Sequence, residues 1–116
     1  MSKYRREGRE VKIGVILNSK DPETAWNALR LGNEALRKGH EVKVFLLGGG
    51  VEIENIRDGD FDVANVLGEF ISNRGELLAC GSCLKLRQQK SAVCPVSTMS
   101  QLVEMIADSD KLVTFG

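Results

Sequence analysis

Two of the three cysteines in the chain, Cys80 and Cys83, are three residues apart in the sequence ELLACGSCLKLRQQK, residues 76–90. Such a pair can be a redox couple, half of a metal site, or one reactive thiol beside a silent one, and free cysteines are also common as small buried residues. In a compartment that keeps thiols reduced, C-x-x-C is more often catalytic or metal-binding than a structural disulfide. Because three is an odd number, at least one cysteine stays unpaired within the chain.

The residues around Cys80 indicate a position where a thiolate is favoured. ELLAC (76–80) predicts a short strand, and SCLKLRQQK (82–90) predicts a helix. Unpaired backbone N–H groups and the positive end of the helix dipole lie at such a junction. Lowering a thiol pKa from ~8.5 to ~7 raises its ionised fraction at neutral pH from about 3% to about one half. We therefore expect the sulfur of Cys80 to be exposed and reactive.

Five further residues are predicted to shape this site: Gly81, Ser82, Lys85, Asn18 and Gly49. The missing side chain of Gly81 lets the backbone approach a group on the sulfur, and Lys85 adds positive potential. Asn18 follows the first predicted strand and Gly49 follows the second. In a parallel sheet both would therefore leave the same edge as Cys80.

A metal site is the weaker interpretation of the cysteines. One C-x-x-C supplies two ligands, whereas a closed zinc site needs four. Cys94 offers a third ligand, but His40 precedes the second strand and is expected at the opposite edge of the sheet. We predict neither a metal nor a cofactor.

Strands and helices are predicted to alternate along the chain. The predicted strands are residues 11–18, 41–48, 76–80, 92–96 and 111–116; the predicted helices are 19–40, 61–75, 82–90 and 97–110. Residues 48–60, which begin with three glycines, are predicted as a loop, and Pro95 argues against a central position for the fourth strand. This order is typical of an α/β fold, a three-layer α/β/α sandwich around a mostly parallel sheet of about five strands. Residues 1–10 are interpreted as a charged lead-in and residues 11–116 as one domain.

Composition limits the classes of partner. Acidic and basic residues number 16 each and aromatic residues make up 5%, so direct binding of nucleic acid is not expected. No apolar run approaches the ~20 residues that a membrane span needs. The charged N-terminus also lacks the apolar core of a signal peptide, which favours a cytoplasmic location. With a net charge of zero, little repulsion opposes self-association.

The order of several segments resembles the DsrE/DsrF-like family of small sulfur-relay proteins. These segments are RKGHEV, VFLLGGGV, ELLACGSCLKLR and STMSQLVEMIADSDKLVTFG, and the resemblance covers residues 11–116. It implies a parallel five-stranded sheet, assembly into trimers or hexamers, and sulfur donor and acceptor proteins as partners. It also implies a cysteine that, in several members, carries sulfur as a persulfide, and this cysteine corresponds to Cys80.

Three functions follow from these residues. The first is a sulfurtransferase-like carrier that accepts and passes on persulfide sulfur through Cys80. The second is a dithiol oxidoreductase that uses Cys80 and Cys83. The third is a non-catalytic oligomeric binding module in which the cysteines are silent.

Overall fold

The computed structural model describes residues 10–91 and 94–116 of the chain. All of the predicted lead-in except Glu10 lies outside the described residues. The strands are β1 (Lys12–Leu17), β2 (Glu41–Leu46), β3 (Glu76–Cys80), β4 (Val96–Ser97) and β5 (Lys111–Phe115). The α-helices are α1 (Pro22–Arg37), α2 (Val63–Ser72), α3 (Gly81–Leu86) and α4 (Met99–Asp108). In these two stretches of chain, no helix combines the length and apolarity needed to cross a membrane.

The five strands form one sheet in the order β4-β3-β2-β1-β5. Every pairing between them is parallel, which confirms the predicted α/β fold and its sheet of about five strands. β4 is short and lies at an edge directly after Pro95, as expected for a residue that cannot donate a ladder hydrogen bond. Ala92 and Val93, at the start of the strand predicted for 92–96, lie outside the described residues.

Helices cover both faces of the sheet. A Cβ on Gly32 of α1 would lie 2.9 Å from the ring of Phe70 in α2 and 3.6 Å from Val42 of β2. These two helices therefore pack together on the face that carries Val42. A Cβ on Gly14 of β1 would instead lie 3.1 Å from Met105 of α4. Gly14 follows Ile13, the partner of Val42, so it faces the opposite side, and the predicted three-layer arrangement is confirmed.

The limits of the helices follow from capping. The carboxylate of Asp21 accepts the Thr24 N–H at 2.9 Å, so α1 begins at Pro22 rather than at residue 19. It ends before Gly39, whose φ of 89° is typical of a helix stop. Thr98 and Gln101 form a capping box at the start of α4.

Helix α3 is shorter than the predicted helix 82–90. It contains six residues, Gly81–Leu86. Gln88 has a φ of 53°, and this left-handed conformation cannot continue a right-handed helix.

The prediction of a loop for residues 48–60 is wrong for residues 48–55. Gly48–Asn55 forms a 3₁₀ helix, hereafter the 3₁₀ segment, in which Val51 and Ile53 are buried. The backbone at Gly50 lies so close to β1 that a Cβ there would be 2.1 Å from the carbonyl oxygen of Leu17. The glycines therefore allow close packing against β1 rather than a flexible turn.

Candidate functional site

The two cysteines of the C-x-x-C motif meet at the carboxyl edge of the sheet. Cys80 is the last residue of β3 and the N-cap of α3, and Cys83 lies in the first turn of that helix. The two side chains are close enough for Cys80 to raise the pKa of the Cys83 thiol, and neither cysteine is in a disulfide. The structure thus places the two predicted cysteines at the same junction of strand and helix.

The expectation that the sulfur of Cys80 is exposed is wrong. The side chain is 3% exposed and belongs to the apolar core. Strand β3 lies between β2 and β4, so its last residue is enclosed on both sides. Cys83 packs against this core and is only partly buried. The pair is therefore more open at Cys83 than at Cys80.

The environment of Cys83 favours its protonated form. Burial raises the pKa of the Cys83 thiol above its usual value, and the neighbouring Cys80 raises it further. The backbone N–H of Gly48 donates to the sulfur of Cys83 at 3.2 Å and acts in the opposite direction, as does the charge of Arg87. Cys83 thus holds its proton more tightly than a free thiol, in spite of two groups that favour its thiolate.

Side-chain bonds hold the 3₁₀ segment against the residues that follow Cys83. Arg87 forms an ion pair with Glu52, with 3.1 Å between Nε and Oε2. Asn55 donates to Gln89 at 2.8 Å. Together with the Gly48–Cys83 contact, these bonds attach the 3₁₀ segment to α3 and to the residues that follow it.

The residues predicted to surround the cysteine pair differ in their exposure and in the residues they contact. Asn18 is exposed, and its side-chain oxygen lies beside Gly48, where a Cβ would be 2.1 Å away. Ser82 and Lys85 are exposed on α3. Gly81 packs against β4, since a Cβ there would be 3.0 Å from Val96.

Gly49 packs away from the thiols. A Cβ at this position would lie 2.9 Å from the backbone nitrogen of Lys20. The glycine that contacts the pair is its neighbour Gly48, which sequence reasoning missed. The run of three glycines after β2 is the signal that points to this part of the chain, but it does not distinguish which N–H reaches Cys83. The ion pair between Arg87 and Glu52 was also missed, because the two residues are distant in sequence.

Cys94 is buried in a separate hydrogen-bonded group. Its N–H donates to the hydroxyl oxygen of Ser91 at 2.7 Å, and this hydroxyl donates to Glu54 at 2.7 Å. Burial raises the pKa of Cys94 to about 11, with a smaller contribution from Glu54. Cys94 is therefore a neutral thiol at physiological pH.

His40 lies at the amino end of the sheet, as predicted, where its Nδ1 accepts the Val11 N–H at 3.1 Å. Across residues 10–91 and 94–116, no three His, Cys, Asp or Glu side chains are grouped so that they could hold a metal ion. The expected absence of a cofactor remains a prediction.

Two archaeal proteins are similar to this chain over most of its length. Protein MJ0989 of Methanocaldococcus jannaschii is 37% identical over 101 residues, which are 80% of this chain and 88% of the relative. Protein MK0008 of Methanopyrus kandleri is 33% identical over 117 residues, which are 94% of this chain and 97% of the relative. Neither name states an activity.

Solved structures share the fold at low sequence identity. The YchN protein of E. coli has a TM-score of 0.78 at 17% identity, covering 91% of this chain and 99% of its own. MTH1491 of Methanobacterium thermoautotrophicum has a TM-score of 0.71 at 12% identity, covering 90% and 99%. The family model described as DsrE/DsrF-like matches residues 11–115. The chain therefore belongs to the DsrE/DsrF-like family.

Proposed function

We propose that the protein is a cytoplasmic sulfur carrier that accepts sulfane sulfur on Cys80 as a persulfide and passes it to a partner protein. The observation that carries this proposal is the position of the two cysteines at the carboxyl edge of the sheet, where the Gly48 N–H donates to the sulfur of Cys83. Ligands of parallel α/β proteins commonly bind at this edge. Family membership connects the fold with sulfur relay.

The proposed transfer conserves atoms and electrons. The Cys80 thiolate attacks the outer sulfur of a donor persulfide R–S–SH. A new S–S bond forms on Cys80, the old S–S bond breaks, and the donor leaves as the thiolate R–S⁻. An acceptor thiolate then attacks the outer sulfur on Cys80, which leaves again as a thiolate. Donor and acceptor proteins therefore exchange only a neutral sulfur atom and need no external oxidant.

A dithiol oxidoreductase is the second candidate, and the position of both cysteines at the start of α3 supports it. If Cys83 attacked the inner sulfur of a persulfide on Cys80, a Cys80–Cys83 disulfide would form and HS⁻ would leave. That route consumes the carried sulfur and needs a reductant, such as a thiol, to restore the pair. A stable persulfide on a protein with both cysteines intact would favour the carrier over this alternative.

Mass spectrometry after incubation with a persulfide donor tests the carrier function. We expect the wild-type protein to gain the mass of one sulfur atom and to lose it on addition of an acceptor thiol. The Cys80→Ser variant should gain no mass. The matched control is Cys94→Ala, which removes another buried cysteine and should load like the wild type. Equal loading of the Cys80→Ser variant would exclude Cys80 as the carrier. No loading of any folded form would support the non-catalytic binding module.

We further propose that the working form is a homo-oligomer, a trimer or hexamer of this single domain. Three large apolar side chains on α4, Met99, Val103 and Ile106, are 56%, 61% and 41% exposed. They are spaced four and three residues apart and so form one stripe on the helix, away from the buried Leu102 and Met105. Such a stripe on a chain with zero net charge suits contact with a second copy.

A further inference from the structure

We propose that four exposed residues around the C-x-x-C motif, Lys85, Leu86, Lys90 and Val96, form the docking surface for the protein that exchanges sulfur with this chain. The partner that fits this docking surface presents acidic side chains around an apolar hollow. The proposal rests on the proposed function for the identity of the partner as a sulfur donor or acceptor. The docking surface itself is defined by exposure and charge, independently of that function.

Leu86 is the centre of the docking surface. It is 81% exposed, the highest value among the large apolar side chains of the described residues. Leu86 follows Cys83 by three positions in α3, and side chains three apart on a helix are neighbours, with about 5–6 Å between their Cβ atoms. A partner that covers Leu86 therefore also reaches the partly buried thiol of Cys83.

Val96 borders the motif on its other side. It is 66% exposed, second only to Leu86, and a Cβ on Gly81 would lie 3.0 Å from its side chain. Val96 thus lies at the first residue of α3, whereas Leu86 is the last. The two most exposed large apolar side chains of the described chain therefore lie at the two ends of the helix that carries Cys83. Single exposed apolar residues are common on protein surfaces, but a pair beside a candidate reactive site favours a partner contact.

The charge of this region is positive. From residue 77 to residue 103 the sequence contains no aspartate or glutamate, and it contains the basic residues Lys85, Arg87 and Lys90. Arg87 is paired with Glu52 of the 3₁₀ segment. Lys85 and Lys90 are exposed and form no ion pair in the part of the chain that the structure describes. Two unpaired lysines beside apolar side chains attract an acidic partner and repel a basic one.

A second copy of this chain fits the docking surface less well. In a symmetric contact the surface would meet itself and bring its lysines close to those of the other copy, which like charges oppose. The apolar stripe on α4, in contrast, contains no charged side chain. The two apolar regions are therefore assigned to different occupants, the stripe on α4 to a second copy and the docking surface to the sulfur-exchanging partner.

Alkylation of Cys83 by two short peptides tests the docking surface without any sulfur transfer. Both peptides carry an iodoacetyl group, and they have leucines at the same positions, but one has glutamates where the other has lysines. Mass spectrometry of protein fragments gives the rate at Cys83. We expect the acidic peptide to react on the order of tenfold faster at low salt, because electrostatic attraction raises the rate of encounter. The difference should nearly vanish in 1 M salt, where the Debye length is about 3 Å.

Substitutions separate the charged and apolar parts of the docking surface. The double variant with Lys85→Glu and Lys90→Glu should reverse the preference between the two peptides. Leu86→Gln should slow both peptides about three- to tenfold, because the leucine would no longer bury apolar area against them. The matched controls are Leu31→Gln on α1 and Lys111→Glu on β5, which change exposed residues of the same types elsewhere. The rate with uncharged iodoacetamide, measured for every variant, corrects for changes in the thiol itself.

Equal rates for the two peptides with the wild type, or no effect of Leu86→Gln, would overturn the proposal. A shift of Leu86→Gln towards the monomer in light scattering would also overturn it, because the docking surface would then belong to a contact between copies. If the peptides are discriminated as expected but the wild type takes up no sulfur from a persulfide donor, the proposed function fails while the docking surface stands.

Discussion

At the scale of single residues, Cys94 shows how strongly burial can raise the pKa of a thiol. It lies in the segment that joins α3 to β4, with Ser91 and Glu54 beside it. Its pKa of about 11 means that it stays neutral in the folded protein at pH values where the unfolded chain would already be ionised. The free energy of unfolding should therefore depend on pH in the alkaline range through Cys94.

We predict that Cys94 makes the protein less stable as pH rises through this range. The raised pKa gives a stability contribution that is fully present below the ordinary thiol pKa of ~8.5 and is lost as pH approaches about 11. The loss is on the order of 2 to 3 kcal/mol. Urea unfolding at pH values from neutral to alkaline measures it. The Cys94→Ala variant, although less stable at neutral pH, should have a flatter pH dependence, and identical slopes would contradict the prediction.

The positions of Cys80 and Cys83 could be predicted from the sequence, because both depend on where β3 ends. The last residue of β3 is Cys80, at the carboxyl edge of the sheet, and Cys83 follows in the first turn of α3. The burial of Cys80 could not be predicted, because it depends on β2 and β4 on either side of β3. The Gly48 N–H was equally hidden, since a backbone group carries no signal in the side-chain pattern.

At the scale of elements, two glycines lie within helices in opposite surroundings. Gly32 of α1 is buried against Phe70, whereas Gly68 of α2 is exposed, and a Cβ added there would have no neighbouring atom within 4 Å. The first is required by the contact between the two helices. The second only increases the backbone entropy lost on folding.

We expect alanine at these positions to change stability in opposite directions. Gly68→Ala should raise the free energy of unfolding by about 0.5–1 kcal/mol, the difference in helix propensity. Gly32→Ala places a Cβ 2.9 Å from the fully buried ring of Phe70. The cost of overpacking, about 1–3 kcal/mol, should exceed the gain in helix propensity, so this variant should have a lower free energy of unfolding. Urea denaturation of both variants measures the difference. A stabilised Gly32→Ala variant would show that α1 and α2 can separate to admit a methyl group.

Elements with local signals could be predicted, and those fixed by distant contacts could not. Asp21 before Pro22 and the Thr98–Gln101 capping box define helix starts within a few residues of sequence. The 3₁₀ segment was missed because its conformation depends on packing against Leu17 and on the ion pair of Glu52 with Arg87. The early end of α3 depends on the backbone at Gln88, for which the residue type gives little warning.

At the scale of the whole molecule, the apolar stripe on α4 is a large feature that the monomer leaves uncovered. Met99, Val103 and Ile106 extend along the outer side of the helix. In the same helix Leu102 and Met105 cover the sheet. A helix that is apolar on both sides is typical of one packed between two bodies.

We predict that Val103→Glu weakens self-association. The charge would have to be buried without a partner in a contact between copies, which is unfavourable. Light scattering coupled to size-exclusion chromatography should show a shift towards the monomer for this variant. Ser100→Glu adds the same charge at an exposed position of α4 outside the stripe and should leave the mass unchanged. Equal masses for wild type and Val103→Glu would contradict a contact through this stripe.

The anchoring of the 3₁₀ segment has a consequence for which molecules can reach the cysteines. Val51 and Ile53 fix it to the core, and Arg87 and Gln89 hold its outer side. Because the 3₁₀ segment is held on both sides, we do not expect it to open like a lid. A reagent should then meet Cys83, the more exposed of the two cysteines, before the buried Cys80. Small electrophiles should therefore modify the two cysteines faster than bulky ones.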